Sequence, residues 1–461
     1  MNPGSIFPRI LVADAEIESL TKALFDELEN SERESLTLAM NGEDTHYLRF
    51  NQARVRQTGT VSQLSASLTF QTRPAPGRPI SEATREIELT GNSPLDLTRL
   101  KEALQLLRAE AINLPPNPFS AWPEGNSKSR SSNSGKCLPL ETAAKEVLEP
   151  AQGMDFTGIA SSGRLIRIVA TSTGIFHSFT TDQTTIDFSA ISSKGRAFKG
   201  EWAGRNWDPE SYIKKLHQAR SILPILERDP IHVPRGEHRT FLDHAAVGDL
   251  IAMLSWGTIG EESIRQGDSA LARIRNGEEA GFSPLVDLTE DFQDGTCPAF
   301  NARGELAAPT TVLFKQGKLI NTLVNTRSAR EYNIPTNHAN LAETLRSPRL
   351  SGGFLLREHA MSALGTGLWL SNLHYLNWSD QPAGRITGMT RHACLWVEDG
   401  KPVAPIENLR FDDTLFRLLG SEVEAFTQEV ESLPETATYK QRELGTTITP
   451  GALLKSMRYT L

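Results

Sequence analysis

Cysteine is scarce. Cys137, Cys297 and Cys394 are the only three in 461 residues, and they lie far apart with no paired spacing. That excludes a disulfide framework and a cysteine-rich zinc ribbon. No apolar run approaches the ~18 residues that a membrane span needs. No block of lysine and arginine forms a nucleic-acid footprint. Acids outnumber bases 56 to 48, for a net charge of −8. A Gly-x-Ser-x-Gly elbow and a phosphate-cradling glycine loop are both missing. The opening Met-Asn-Pro-Gly-Ser-Ile-Phe-Pro-Arg lacks the charged and apolar blocks of a secretory leader. Together these absences point to a cytoplasmic protein with neither membrane nor nucleic acid among its partners. The length allows two or three domains with full cores.

What is present is patterned apolar sequence. Ile17, Leu20, Leu24 and Leu28 share one helical face, which predicts an amphipathic helix over 14–29. Period-two alternation follows at Leu36-Leu38-Met40, His46-Leu48-Phe50 and Leu64-Ala66-Leu68-Phe70, with a shorter strand at Ile87 and Leu89. Ser93-Pro94 supplies an N-cap and a first-turn proline for a helix on Leu97, Leu100, Leu104, Leu107 and Ala111. Residues 1–113 therefore read as an N-terminal α+β domain. Four prolines and a serine-rich run mark 114–136 as a linker or mobile loop. Residues 137–229 form a central α+β region, with strands at 165–169, 174–177 and 180–188 and a helix opened by Asp208-Pro209. Gly195, Gly200 and Gly204 read as turn glycines.

From 230 to 461 the pattern is β-rich. Hairpin turns are predicted at Lys315-Gln316-Gly317-Lys318 and Glu398-Asp399-Gly400-Lys401, each placing glycine where positive φ is needed. Residues 368–376 read as one long strand, 415–419 as helix and 457–461 as a closing strand. The expected fold class is α+β: antiparallel strands flanked by helices, then a mostly antiparallel, barrel-like domain with a few helices.

Chemistry concentrates in residues 241–254, Phe-Leu-Asp-His-Ala-Ala-Val-Gly-Asp-Leu-Ile-Ala-Met-Leu. Val247, Leu250, Ile251 and Leu254 make an apolar stripe, with His244 at its edge. The next residue is Ala245, and five residues after the histidine stands Asp249. Positions five apart differ by roughly 140° around a helix, so His244 and Asp249 converge only if the helix bends, which Gly248 would permit. A catalytic zinc needs about three protein ligands and a nearby acid to activate water. This segment offers one histidine, one carboxylate and no adjacent acid, so the plainer reading is a partly buried histidine and a surface aspartate. His359, His374 and His392 have nothing in the sequence to bring them together. Cys394, between Ala393 and Leu395-Trp396, reads as a small core residue. The run containing Asn372, His374, Tyr375, Asn377 and Trp378 is a candidate substrate or partner surface, weighed against a strand whose aromatics are buried.

With these segments placed, the third region resembles the TldD/PmbA (TldD/TldE) family, whose active members are gyrase modulators and heterodimeric zinc metallopeptidases. The likeness rests on the His244 helix, where the catalytic subunit carries HExxxH, and on Gly260, Gly267-Asp268-Ser269 and Leu271. It continues through Pro309-Thr310-Thr311, the 315–319 turn, Leu323 to Ala329, Gly384-Arg385-Ile386-Thr387-Gly388 and the Trp396 to Val403 ending. The N-terminal strands fit more loosely. Of the motif only His244 carries over: Ala245 holds the acid position and Asp249 the second ligand position. The family's acidic loop is Phe300-Asn301-Ala302-Arg303-Gly304 here, and no cysteine follows Cys394. This pattern resembles the TldE/PmbA-type subunit. The resemblance implies a chain with no catalytic residue, metal or cofactor of its own, and zinc on a TldD-like partner. It further implies unfolded or short peptides as substrate. Two alternatives stand beside it: a standalone homodimeric peptide-binding protein without hydrolytic activity, and a self-sufficient hydrolase using His244, Asp249 and a histidine from 359–392.

Overall fold

A computed structural model describes residues 13–460; the opening segment and Leu461 lie outside the described residues. The first half comprises α1 (Asp14–Phe25), β1 (Glu34–Asn51), β2 (Arg54–Thr72), β3 (Ser81–Leu89), α2 (Ser93–Ala111), β4 (Lys128–Asn133) and α3 (Leu140–Leu148). It continues with β5 (Asp155–Thr171), β6 (Phe176–Ile191), β7 (Ala197–Gly204) and α4 (Pro209–Leu226). Its strands form one sheet in the order β3-β2-β1-β5-β6-β4, and β7 joins the same edge of β6 beyond the end of β4. Side-chain alternation decides which face is covered. Leu36, Leu38, Met40, Leu48 and Phe50 of β1 are buried under helices. Residues of α1 and α2 cover the first three and residues of α3 and α4 the last two. Glu43, Tyr47 and Arg49 point to the opposite face.

Several local expectations change. The alternating runs at 36–40 and 46–50 are one strand, because β1 is paired along its length by both β2 and β5 and needs no apolar side chains between the runs. The cap of α2 is Asn92, whose side chain accepts from the Leu95 amide at 3.2 Å, one residue earlier than Ser93. Within 114–136, residues 128–133 form β4, a parallel edge strand of Lys, Ser, Arg and Asn held by its backbone. The strands of 1–113 and 137–229 share a single sheet through the β1–β5 pairing. Gly195 does turn the chain, with φ of 77°. Gly200 and Gly204 instead lie in β7, and a Cβ on Gly200 would sit 2.3 Å from the Phe188 ring.

The second half contains β8 (Gly236–Leu242), α5 (His244–Ser255), α6 (Glu261–Gln266), α7 (Leu271–Arg275), β9 (Leu288–Asp291), β10 (Thr310–Lys315) and β11 (Lys318–Leu319). Next come α8 (Thr326–Tyr332), β12 (Pro348–Leu350), α9 (Ala360–Leu364), β13 (Gly367–Leu370), β14 (Asn372–Asp380) and β15 (Arg385–Arg391). The last elements are β16 (Leu395–Glu398), β17 (Lys401–Pro405), β18 (Arg410–Thr414), β19 (Val423–Pro434) and β20 (Thr446–Tyr459). The strand path β11-β10-β9-β12-β20-β8-β13-β16-β17 branches at β20, which also pairs β19 and, through β18 and β15, reaches β14. The α+β class is therefore observed. The barrel-like expectation gives way to an open, branched sheet, because the path ends at β11 and β17 without closing.

Helix α5 fills the middle of this sheet with Leu250, Ile251 and Leu254 in the largest apolar core. Both predicted hairpin turns carry paired positive φ, at Gln316-Gly317 (48° and 73°) and Asp399-Gly400 (47° and 74°), the two-residue geometry that matches strand twist. The 368–376 strand is broken at Ser371, since β13 pairs β8 and β16 whereas β14 pairs β15. Residues 417–421 form a single π turn rather than an α-helix.

Candidate functional site

Asp243, the residue between β8 and α5, organises the site. It caps the helix, its Oδ1 accepting from the His244 amide at 2.7 Å. The same oxygen faces His244 Nδ1 at 2.8 Å, and Oδ2 accepts from Arg357 Nη2 at 2.6 Å. Burial pushes this carboxyl up, but Arg357 and His244 overcome that push and hold it well below the usual carboxylate range. His244 is only 3% exposed. Its Nε2 faces the Glu429 carbonyl at 3.3 Å, so both ring nitrogens are engaged by oxygens of this chain. Arg357 is itself fixed: its guanidinium lies over the Trp369 ring at 4.6 Å, and its amide donates to the Glu429 carboxylate at 2.8 Å.

These residues border a cleft of about 520 Å³ between the two halves of the molecule. Phe198 and Gly200 of β7 and Lys215 and Ile222 of α4 form one wall; Trp369 and Leu433 stand on the other. An ion pair, Lys215 Nζ to Glu431 Oε2 at 2.6 Å, spans it. Glu201, on the β7 wall, is pushed up to about 7 by burial.

Asp249 does not join His244. It opens onto a second cleft of about 320 Å³, shared with Glu201, Arg346 and Glu435. Its Oδ2 accepts from the Leu373 amide at 2.9 Å. It is half-buried rather than a surface residue, and burial, with Glu201 adding its charge, pushes it up to about 7. Gly248 does not bend α5 toward convergence. It makes room for Leu433, whose Cδ1 would lie 2.4 Å from a Cβ there. Leu433 borders both clefts and stands between them. Ala245 also borders both and brings no polar atom beyond its backbone.

The 372–380 run is divided by β14. Asn372 reaches both clefts. His374 is bonded to Arg391 and lies 4.2 Å from the ring of Tyr375, which is 77% exposed. Asn377 takes the Trp378 amide on its own side chain, and Trp378 packs against the core, donating to the Trp256 carbonyl at 2.9 Å. Burial lowers His392 to about 4, and His359 is exposed. Among the described residues no group of three His, Cys, Asp or Glu side chains is placed to hold a metal. Cys394 is buried, its thiol donating to the Arg391 carbonyl at 3.1 Å. Loop 300–304 docks on the N-terminal sheet: Phe300 stacks on His177 at 5.6 Å and Arg303 pairs with Glu82 at 3.1 Å.

Sequence reasoning missed Asp243, Arg357, Glu201 and Glu431. Asp243 carried a usable signal, an aspartate immediately before an apolar helical stripe, which is a capping position. The other three come from distant elements and carried none.

Residues 235–460 match the PmbA/TldA metallopeptidase C-terminal domain. The C-terminal half of the chain is thus similar to the PmbA/TldD family. The fold is shared with a candidate modulator of a DNA gyrase from Thermotoga maritima (14% identity, TM-score 0.74, covering 96% of this chain and 100% of that one). TldE from Thermococcus kodakarensis is similar at 13% identity and TM-score 0.72, covering 97% and 100%. A candidate gyrase modulator from Bacteroides thetaiotaomicron follows at 12% and 0.71, covering 98% and 100%. No curated protein matches the chain in sequence.

Proposed function

We propose that this chain is the TldE-like half of a two-subunit peptidase and leaves water activation to zinc on a TldD-like partner. The observation that carries the reading is the engagement of His244. Its Nδ1 is held by the Asp243 carboxylate and its Nε2 faces a main-chain carbonyl. The donors at hand do not fit a hydrolytic zinc, which needs about three converging ligands and a free acid. Ala245 supplies no acid, and Asp249 binds a backbone amide in a separate cleft. The cleft beside His244 then serves to enclose peptide, with Trp369, Phe198 and Leu433 as apolar walls and the backbone as the main source of hydrogen bonds.

Metal analysis and a peptidase assay test this. The purified chain should carry substoichiometric zinc and cleave nothing alone, and should support cleavage when co-purified with a TldD-like subunit bearing an intact HExxxH. Stoichiometric zinc with cleavage by the isolated chain overturns the assignment.

A further inference from the structure

The face of the N-terminal sheet opposite its helices carries a groove over the outer end of β2, β1 and β5. Alternation along the strands sets one group of side chains there. Across the ladders, Gln57 of β2 and Ile159 of β5 flank Arg49 of β1, and Gly59 stands beside Tyr47. The connection from β19 to β20 closes one side, with Thr438 and Lys440 on the rim. It is pinned to the sheet where the Lys440 carbonyl accepts from Gln63 Nε2 at 2.7 Å. The groove has a volume of about 870 Å³, which is in the range of small-molecule sites.

Two local features charge this groove and keep it open. The register of β1 on β2 slips where Arg49 faces Gln57 and Phe50 faces Val55, so Arg56 is an extra residue in β2. Such a bulge re-aims a side chain, and Arg56 borders the groove together with Gln57. At Gly59 a Cβ would touch nothing within 4 Å. A glycine in such a place lets a ligand come close to the strand and to the Tyr47 ring beside it. Arg49, Arg56 and Lys440 are exposed, and among the described residues none of them makes an ion pair. Among the described residues Glu43 is the only carboxylate bordering the groove; it is 2% exposed and already accepts from Thr45, Tyr47 and Gln63. Three free cations therefore stand around an apolar floor of Tyr47, Val61 and Ile159, on a chain of net −8.

We propose that this groove binds a small organic anion, a flat apolar body carrying two or more acidic groups. The body would rest on Tyr47, Val61 and Ile159, and the acidic groups would meet Arg49, Arg56 and Lys440. An inorganic ion would leave the apolar floor in water, and an uncharged ligand would leave the cations unmet. A second copy of this chain fits less well, since a two-fold contact sets the same patch against itself and so crowds like charges. The inference stands apart from the peptidase reading and does not require a partner subunit.

Fluorescence titration of the full chain with pyrenetetrasulfonate, a flat hydrocarbon with anionic groups around its rim, tests it. Saturable binding at one site per chain is expected, weakening as salt rises. R49Q/R56Q should weaken it about tenfold, as the loss of two exposed charge contacts would. G59L leaves every charge in place and fills the space beside Tyr47, so it should abolish binding. Both arginines are exposed and Gly59 faces open space, so both variants should melt like the parent. The proposal is overturned if no saturable binding is found, if G59L binds like the parent, or if the cationic aminomethylpyrene binds as tightly. It is also overturned if an equal concentration of inorganic sulfate displaces the probe, or if the chain sediments as a dimer that G59L dissociates.

Discussion

At the scale of single residues, the site is governed by how charge is compensated under burial. Asp243 keeps its charge because Arg357 and His244 both press on it. Arg357→Ala leaves that carboxylate short of a partner; because the pair is partly solvent-accessible, the expected cost is about 2 kcal/mol, below the value for a fully buried pair. Chemical denaturation would measure it. His244→Ala should also destabilise the chain, yet leave peptide cleavage by a reconstituted complex within a few-fold of wild type if this histidine has no catalytic part.

The raised carboxyls act in the opposite sense. Asp249 and Glu290 have ordinary values of 3.8 and 4.5 and both sit near 7 in the fold, chiefly through burial. The native state therefore binds protons that the unfolded chain has released, so their contribution is complete below about pH 4 and is lost as pH rises through about 7. Melting temperature should fall across that window. Asp249→Asn combined with Glu290→Gln should flatten the fall; an unchanged slope would show that other groups set it.

At the scale of elements, the sequence showed what repeats and hid what depends on distant partners. The helix stripe of α5, the alternation of β1 and β2 and the two glycine hairpins were legible because each is a local pattern with a local cause. The edge strand β4 was not, since Lys-Ser-Arg-Ser-Ser-Asn has no apolar alternation and is ordered by its pairing with β6 and by Arg130 against Asp14 and Glu18 of α1. Helix α3 also passed unread; Ala143, Val147 and Leu148 bury against the far end of the sheet, and the segment is only Leu140–Leu148 long. The break at Ser371 depends on two different neighbours claiming the chain on either side. Of the candidate site, His244 and its missing acid were legible, whereas the clamp formed by Asp243, Arg357 and Glu429 required the fold. Gly200 illustrates a role that only packing reveals. Phe188 lies among Phe156, Phe198 and Tyr212, so Gly200→Ala drives a methyl into a ring that cannot retreat. Overpacking of this kind costs about 1–3 kcal/mol, which thermal unfolding should register.

At the scale of the molecule, the two halves are joined through polar contacts as well as apolar ones. Arg442, in the connection from β19 to β20, is 2% exposed and enters the N-terminal sheet, donating to the Gln183 carbonyl at 3.1 Å. Arg167 in turn donates to the Arg442 carbonyl at 2.8 Å. Arg442→Met keeps much of the volume and removes the guanidinium donors, leaving the Gln183 carbonyl and side-chain oxygen and the Thr185 hydroxyl short of their bonds from Arg442. We expect it to weaken the union of the halves more than either half, so that calorimetry resolves two transitions where the wild type gives one.

The centre of the C-terminal sheet has a consequence for synthesis. β20 is bonded to β8, β12, β18 and β19, all of which precede it in the chain. A nascent polypeptide whose translated length stops short of Thr446 holds four strands that lack their common neighbour, while every strand of the first sheet has already left the ribosome. The N-terminal sheet can thus mature early, and the β domain must wait, exposed to chaperones, for a single late segment to lock it.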